Sequence, residues 1–220
     1  MKFNLTIKCI LIGDSEVGKS SILSQYIQDR FLLDSFSTIG VDFGTKEINI
    51  SYGGDDYSIK LNIWDTAGDK RYKSIIETYY KNTSYILLVF DINSRASFNN
   101  VIRLHNSIRD EYKKSKFIFV GNKTDVKNIH NKVTEREMSE LSRETNALAI
   151  STSAKENHNI HGLFKCVYTH ALSEFDKIPY AKKISCTRFN NIKVRTERSS
   201  YVYNSQNEVD SCWCGFCKIC

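Results

Sequence analysis

Long hydrophobic runs and prolines are what this 220-residue chain has least of. The longest apolar run, YILLVF at 85–90, spans six residues, whereas a membrane-spanning helix needs about 20. The N-terminal segment MKFNLTIKCILIG lacks a long hydrophobic region and a small-residue cleavage site, so we expect no signal peptide. Lys2 stands where N-myristoylation requires glycine, so we do not expect that modification. With 41% hydrophobic and 25% charged residues, the chain can build a core and is not wholly disordered.

The seven cysteines are too unevenly placed for a secreted disulfide framework. Cys9, Cys166 and Cys186 are far apart, and the other four lie within the last nine residues. A disulfide framework needs cysteines spread through the fold. Because no signal peptide is expected either, this distribution indicates the reducing cytosol.

The positive charge is concentrated at the C-terminal end. The last 44 residues contain eight Lys or Arg and three Asp or Glu, a net charge of +5 out of the +6 of the whole chain. The remaining body is nearly neutral. A basic face that follows a nucleic acid is therefore not supported, and we expect no nucleic-acid partner.

Apolar strands alternate with helical periodicity along the body, and one hairpin interrupts the alternation. Predicted strands cover 8–13, 85–90, 116–120 and 147–150, and predicted helices cover 18–28, 95–112, 134–145 and 160–176. Two segments of period-two alternation flank the turn sequence GGDD at 53–56, which predicts an antiparallel hairpin. Strand–helix alternation predicts right-handed βαβ units and a parallel sheet covered on both faces.

We therefore predict a three-layer α/β domain over residues 1–176. It has a mostly parallel six-stranded sheet with an antiparallel edge hairpin, flanked by about five helices. Pro179 follows the last predicted helix and helps to end it, and periodicity fades beyond it. Residues 177–220 are predicted to form a basic, flexible tail with a cysteine cluster.

The segment GDSEVGKS at 13–20 fits the pattern GxxxxGK[ST] and lies between a predicted strand and a predicted helix. Successive backbone N–H groups and a helix N-terminus form an anion-binding nest. Lys19 would reach the β- and γ-phosphates of a nucleotide, and the Ser20 hydroxyl would bind Mg²⁺. The predicted phosphate-binding residues are Gly13, Asp14, Ser15, Glu16, Val17, Gly18, Lys19, Ser20 and Ser21.

The segment WDTAG at 64–68 ends an apolar strand. Asp65 at the carboxyl end of that strand can hold Mg²⁺ through water, and Gly68 lets its backbone N–H approach the γ-phosphate. Thr66 and Ala67 belong to the same predicted site.

Two further motifs follow the last two predicted strands and predict selectivity for guanine. They are NKTD at 122–125 and SAK at 153–155. A carboxylate at Asp125, expected to be buried, accepts both N–H donors of the guanine N1/N2 edge, whereas adenine would leave it unpaired. The predicted base-binding residues are Asn122, Lys123, Asp125, Ser153, Ala154 and Lys155.

These four motifs, in this order and spacing, resemble a Ras-superfamily small GTPase. The resemblance covers about residues 5–175 and is greatest to the Rab subfamily. The segments that carry it are TIGVDF at 38–43, KLNIWDTAG at 60–68, RYKSIIETYY at 71–80 and LLVFDIN at 87–93. The resemblance implies that Thr38 in switch I contacts Mg²⁺ and the γ-phosphate, that switch II covers 65–80, and that Phe31 packs against guanine.

The same resemblance implies the function and the partners. The protein would bind GTP or GDP with Mg²⁺ (held by Ser20, Thr38 and Asp65) and recruit effectors in vesicle traffic. The implied effector-reading residues are Ser35, Phe36, Ser37, Thr38, Ile39, Gly40, Val41, Asp42 and Phe43. An exchange factor, a GTPase-activating protein and a prenylation escort are further implied partners. The implied location is the cytoplasmic face of an intracellular or plasma membrane, with cycling through the cytosol.

Residue 69 departs from the Rab pattern. Rab proteins usually have WDTAGQE where this chain has WDTAGDK, so Asp69 replaces the glutamine that orients the attacking water. An ionised aspartate has no donor, a shorter reach and a negative charge that faces the γ-phosphate. Asp69, Lys19, Thr38 and Gly68 are the expected catalytic residues.

Three alternatives follow from this departure and its context. In the first, hydrolysis is slow and an activating protein helps little. In the second, the protein is a GTP-locked binding module with vestigial catalysis. In the third, Asp69 still acts as a base or holds water. A P-loop kinase or ATPase is a separate alternative, which NKTD and SAK disfavour.

Glu16 is a second departure, because this position is often glycine or another small residue. If its carboxylate faces the phosphates, nucleotide release is expected to be faster than usual.

The C-terminal sequence CWCGFCKIC is the third departure. Four thiols in nine residues could bind zinc, but structural zinc sites usually combine two separated knuckles. Family resemblance favours lipidation instead, with prenylation at Cys217, Cys220 or both, and palmitoylation of Cys212 and Cys214. The basic tail would add electrostatic attraction to anionic lipid.

Overall fold

One six-stranded sheet forms the centre of the protein, and helices cover both of its faces. The computed structural model describes residues 2–31, 37–126 and 132–177. The strands are β1 (Lys2–Ile12), β2 (Val41–Tyr52), β3 (Asp55–Thr66), β4 (Tyr85–Asp91), β5 (Lys116–Asn122) and β6 (Leu148–Ser151). The α-helices in these ranges are α1 (Lys19–Gln28), α2 (Lys73–Tyr79), α3 (Arg95–Ile108), α4 (Glu135–Thr145) and α5 (Ile160–Asp176), and a short 3₁₀-helix covers Lys70–Tyr72.

The sheet order is β2-β3-β1-β4-β5-β6. β2 and β3 pair antiparallel, and every other neighbouring pair is parallel. The predicted architecture, including the antiparallel edge hairpin, is therefore confirmed. The order steps outward in both directions from β1, which is the order of a doubly wound sheet.

Two hydrophobic cores lie on opposite faces of the sheet. Successive side chains of a strand point to opposite faces, so Cys9 and Leu11 of β1 join one core while Ile10 and Ile12 join the other. The first core packs against α1 and α5, and the second against α2, α3 and α4. β4 is buried over Tyr85–Phe90, as expected for a central parallel strand.

Several element boundaries differ from the sequence-based expectation. β1 begins at Lys2 rather than at residue 8, because it pairs with β3 along its whole length, from Lys2 opposite Asp56 onward. α3 ends at Ile108 rather than at 112. The following residues form a turn in which the backbone N–H of Tyr112 donates to Ile108 O, and the Tyr112 ring packs edge-on against Tyr80.

The carboxyl ends of β1, β3, β4, β5 and β6 meet at one edge of the sheet. Loops leaving that edge hold the predicted motifs. In doubly wound folds this edge is where ligands bind. The lipidation sites predicted in the tail, including Cys217 and Cys220, lie outside the described residues, as do Ser35 and Phe36.

Candidate nucleotide-binding site

A cavity of about 600 Å³ opens at this edge of the sheet. Most of the predicted site residues line it, namely Ser15, Glu16, Gly18, Lys19, Ser20, Ser21, Phe31, Thr38, Thr66, Gly68, Asp69, Asn122, Lys123, Asp125, Ala154 and Lys155. Ser37, Ile39, Arg71, Tyr72 and Val126 complete the lining. The structure thus brings together residues that are up to 140 positions apart in the chain.

Gly18 and Gly13 are required by the geometry of the phosphate-binding loop. Gly18 has φ +92°, and a Cβ there would lie 2.3 Å from Asn122 Nδ2. A Cβ at Gly13 would lie 2.0 Å from the backbone oxygen of Val89. The loop therefore lies directly on the ends of β4 and β5, and neither position tolerates a side chain.

Lys19 is held inside the loop by backbone carbonyls. Its Nζ donates to Gly13 O at 2.9 Å and to Asp14 O at 2.6 Å. Burial lowers the pKa of Lys19 to about 8, while the nearby carboxylates of Asp65 and Asp14 act in the opposite direction. An ammonium group has three N–H donors. One donor therefore remains for a phosphate oxygen in the cavity.

Three oxygen-bearing side chains converge beside the loop. Ser20 Oγ donates to Asp65 Oδ2 at 2.5 Å and lies 2.8 Å from Thr38 Oγ1. Thr38 Oγ1 is 3.5 Å from the same carboxylate oxygen. The structure thus joins the three predicted metal ligands from α1, the segment before β2, and β3.

The state of the Asp65 carboxylate indicates whether these three oxygen-bearing side chains could hold a cation. Its carboxyl group is buried, and Oδ1 has no hydrogen-bond partner among the described residues. Burial raises the pKa of Asp65 to about 6, against the opposing effects of the Ser20 hydrogen bond and the Lys19 charge. An unpaired buried carboxylate oxygen beside two hydroxyls suits a hard cation with oxygen ligands, which fits Mg²⁺.

At the other end of the cavity, Asn122 joins the end of β5 to two loops. Its Nδ2 donates to Val17 O at 3.0 Å, and its Oδ1 accepts from Ala154 N at 3.1 Å and from Thr152 Oγ1 at 3.3 Å. The side chain is almost fully buried. Asn122 therefore positions the phosphate-binding loop against the SAK loop, a role that its motif does not reveal.

Asp125 differs from the expected buried carboxylate. It is half-buried and faces the cavity, and its Oδ1 accepts from Ser153 Oγ at 2.6 Å. The Ser153 hydroxyl in turn accepts from Glu156 N at 3.1 Å. These contacts orient the carboxylate, so Ser153 positions Asp125 although it does not line the cavity.

Asp91 and Asn93, at the end of β4, were not predicted as site residues. Asp91 Oδ2 pairs with Lys123 Nζ at 3.1 Å, and Asn93 Nδ2 donates to Lys123 O at 3.0 Å. Lys123 has φ +67°, and these two contacts stabilise it there. The segment LLVFDIN did carry the family resemblance, so it was the one signal that could have identified them.

Asp69 makes an ion pair that the sequence analysis missed. Arg71 donates to Asp69 Oδ2 through Nε at 2.9 Å and through Nη2 at 2.6 Å, and Arg71 N donates to Asp69 Oδ1 at 2.9 Å. These contacts hold the pKa of Asp69 below its usual value. The carboxylate is ionised, and its charge is paired.

Five predicted residues of the phosphate end, Asp65 among them, do not line the cavity themselves. The Asp14 carboxylate accepts from Asn100 Nδ2 of α3 at 2.7 Å, so its side chain is bound to that helix. Val17 and Ala67 are buried, and Gly13 packs on Val89. Asp14 and Gly13 contribute backbone carbonyls to Lys19 rather than side chains to the cavity.

The described part of the predicted effector segment presents apolar side chains to solvent. Ile39 is 83% exposed and Phe43 is 47% exposed. The Phe43 ring packs against Trp64 with ring centroids 4.5 Å apart. Backbone contact with switch II comes from Ala67 N, which donates to Gly40 O at 2.8 Å.

The sheet order, the phosphate-binding loop, the oxygen-ligand set and the base-binding loops together define a P-loop GTPase domain. Comparison with known proteins agrees. The family model for the Ras family matches residues 8–173.

Three plant proteins are similar in sequence to this chain over most of its length. Ras-related protein RGP2 of Oryza sativa subsp. japonica is 40% identical over 184 residues, which cover 83% of this chain and 82% of the relative. Ras-related protein RABA1f of Arabidopsis thaliana is 38% identical over 184 residues (83% and 81%). Ras-related protein Rab11B of Nicotiana tabacum is 38% identical over 183 residues (83% and 80%).

The chain belongs to the Ras family of small GTPases and is Rab-like. Members of this family bind GTP and GDP, typically with Mg²⁺, and hydrolyse GTP. The chain is accordingly a GTP-binding switch of vesicle traffic, with effectors, exchange factors and activating proteins as its general partners. In the described parts of the chain, none of the helices has both the length and the hydropathy that crossing a bilayer requires.

Proposed function

We propose that this protein is a Rab-type switch that binds GTP or GDP with Mg²⁺ in the 600 Å³ cavity and hydrolyses GTP slowly. The observation that carries the proposal is the convergence of Ser20, Thr38 and Asp65 at one end of a cavity whose other end holds Asp125. A nucleoside triphosphate requires one group of residues that binds its phosphates and another that binds its base. Residues of both groups line the same cavity, which is the arrangement that a ligand with a base and phosphates requires.

At the phosphate end, each residue has a distinct role. The backbone N–H groups of the loop and the remaining Lys19 donor bind phosphate oxygens. Ser20, Thr38 and Asp65 would hold Mg²⁺, which neutralises charge on the β- and γ-phosphate oxygens. Gly68 would direct its backbone N–H at the γ-phosphate.

At the base end, Asp125 accepts the two N–H donors of the guanine edge while Ser153 keeps its carboxylate in place. Phe31 lines the cavity and would pack against the base. Adenine would offer the Asp125 carboxylate neither of these two N–H donors, at a cost of about 1–3 kcal/mol. The site therefore prefers GTP to ATP, which disfavours the kinase or ATPase alternative.

The slow hydrolysis follows from Asp69. Hydrolysis requires an acceptor for the proton of the attacking water and a donor to the transferring phosphoryl group. Asp69 Oδ2 already accepts two N–H groups of Arg71, and Oδ1 accepts a third. The carboxylate has no donor of its own and little capacity left to orient water. The same observation favours the alternative of a GTP-locked effector-binding module with vestigial catalysis.

The cellular role extends this proposal. Residues 35–43, with exposed Ile39 and Phe43, would read effectors in the GTP state. Prenylation of Cys217, Cys220 or both, assisted by an escort protein, would anchor the basic tail to the cytoplasmic face of an intracellular or plasma membrane. The protein would cycle between that membrane and the cytosol. Mass spectrometry of the chain from a eukaryotic host tests the lipid anchor, and an unmodified C-terminus would refute it.

The deciding experiment is single-turnover hydrolysis of bound GTP by the native protein and by Asp69→Gln. We expect the variant to hydrolyse GTP about 10-fold faster or more, because a well-placed proton acceptor contributes roughly 10²–10⁴-fold. Asp110→Gln, the same change at an exposed position just after α3, is the matched control and should leave the rate unchanged. Fast native turnover with no gain in Asp69→Gln would show that Asp69 is a working substitute and would remove the GTP-locked alternative.

A further inference from the structure

Asp69 places a carboxylate at the phosphate end of a site for a highly charged anion. Gly68, its neighbour, lies so close to the phosphate-binding loop that a Cβ there would be 2.1 Å from Ser15 N. Asp69 therefore begins directly beside the loop, and its side chain lines the cavity together with Thr38. A γ-phosphate bound there would lie close to the negative charge of the Asp69 carboxylate.

Arg71 pairs with that charge in a two-pronged geometry. Its Nε and Nη2 both donate to Asp69 Oδ2, at 2.9 and 2.6 Å. The backbone contributes as well, since Arg71 N donates to Asp69 Oδ1 and Tyr72 N donates to Asp69 O at 3.1 Å. The turn that begins the 3₁₀-helix Lys70–Tyr72 thus holds the guanidinium and the carboxylate together.

The guanidinium is fixed on Asp69 by part of its donor set. It has five N–H donors in a planar fork, and the contact with Asp69 uses two of them. The remaining three belong to a side chain that lines the same cavity. Its planar fork suits the two-pronged contact with the Asp69 carboxylate.

The other cations of the cavity lie elsewhere. Lys19 is buried within the phosphate-binding loop, and its Nζ is bound to Gly13 O and Asp14 O. Lys123 is paired with Asp91 beside the base-binding loop, and Lys155 belongs to the SAK motif at that end. Among the described lining residues, Arg71 is the cation in contact with Asp69.

We propose that Arg71 is a specificity-determining residue of the switch. It neutralises Asp69 beside the γ-phosphate and so preserves the affinity for GTP relative to GDP. The inference rests on the proposed function, because it assigns the Asp69 end of the cavity to the γ-phosphate. Without Arg71, the Asp69 carboxylate and the γ-phosphate repel each other. This repulsion weakens the binding of GTP far more than that of GDP, because GDP has no γ-phosphate.

The test is a double-mutant cycle on nucleotide affinity in the presence of Mg²⁺. The proteins are native, Arg71→Ala, Asp69→Asn and the double variant, and the probes are GDP and a non-hydrolysable GTP analogue. The Arg71 side chain is 81% exposed, so solvent screens its charge. We therefore expect Arg71→Ala to weaken binding of the GTP analogue by about 3- to 6-fold, the range for a unit charge about 8 Å away at an effective dielectric constant near 40–60. Its affinity for GDP should change by less than about twofold on the same reasoning.

The cycle identifies Asp69 as the cause. In the Asp69→Asn background, Arg71→Ala should change the affinity for the GTP analogue by less than about twofold, because no charge remains to be neutralised. Arg71→Lys, which keeps the charge and loses the fork, should give an intermediate ratio. Arg143→Ala on exposed α4 is the control for removal of a surface arginine.

Each outcome has a distinct meaning. An unchanged GTP-to-GDP ratio in Arg71→Ala overturns the inference, and so does an equal loss in both Asp69 backgrounds, which would assign Arg71 a direct contact instead. Unchanged GDP affinity in every variant shows that the fold is intact. A native protein that bound neither guanine nucleotide would overturn the proposed function itself, a result separate from the two above.

Discussion

Glu16 is a non-glycine residue in a backbone conformation that favours glycine. Its φ is +64°, and its exposed side chain lines the cavity next to the phosphate-binding loop. A side chain in this region costs about 1–2 kcal/mol. The position thus combines local strain with a carboxylate in the loop where we propose that the phosphates bind.

We expect GDP to dissociate more slowly from Glu16→Gly than from the native protein, by about threefold or more, if the carboxylate repels phosphate through partly screened charge. Stopped-flow release of a fluorescent GDP analogue measures this rate. Glu16→Gln separates the two causes, because it removes the charge and keeps the strained backbone. Equal off-rates in all three proteins would show that Glu16 points to solvent.

At the scale of elements, Asn122 joins the end of β5 to two loops. Its amide group bonds to Val17 in the phosphate-binding loop and to Ala154 in the SAK loop. All of these groups are buried or nearly so. Loss of this side chain therefore leaves two backbone groups, Val17 O and Ala154 N, without this partner inside the protein.

We predict that Asn122→Ala lowers the free energy of unfolding by about 2–4 kcal/mol, since each unsatisfied buried group costs about 1–3 kcal/mol. Denaturant unfolding of the nucleotide-free protein measures this loss, and titration with GDP should show weakened binding as well. Asn62→Ala provides the comparison. Asn62 accepts one hydrogen bond, from Thr45 Oγ1 on the neighbouring strand, and its loss should cost less and leave GDP affinity unchanged. Similar losses of nucleotide affinity in both variants would contradict the bracing role.

At the scale of the whole molecule, a buried histidine links stability to pH. His105 of α3 is 3% exposed and packs against the rings of Phe117 and Phe119, and its Nδ1 has no hydrogen-bond partner among the described residues. Burial lowers its pKa below the usual 6.5; a hydrogen bond with Asn106 opposes this shift, and the charge of Arg109 adds to it. The folded protein therefore favours the neutral ring.

Because the folded protein favours neutral His105, protonation of this ring destabilises the fold. Above pH 6.5 the ring is neutral in both states, and below it the unfolded chain takes up the proton first. Stability should thus fall as the pH drops from about 6.5 toward 5. His105→Leu should flatten this part of the stability curve, measured by denaturant unfolding at several pH values. Some slope should remain from His170, whose pKa burial also lowers. An unchanged slope would contradict the assignment to His105.

Much of the fold and site was predictable because its signals are local. Strand and helix periodicity predicted the parallel sheet and the edge hairpin, and the motif order predicted which loops form the cavity. Boundaries were less predictable. The start of β1 at Lys2 depends on its pairing with β3, which no local pattern records.

The amino-acid sequence by itself determined the family, the strand–helix order and the residue types that face the nucleotide, because each motif is a short segment with its own backbone requirement. The tertiary structure alone decided how those residues are paired. Asn122 reaches Val17 across 105 positions, and Asp14 reaches Asn100 on α3. Even Arg71, two residues from Asp69, contacts it only because switch II turns there. Side-chain pairing depends on directions in space, and those are defined once the sheet and its loops have packed.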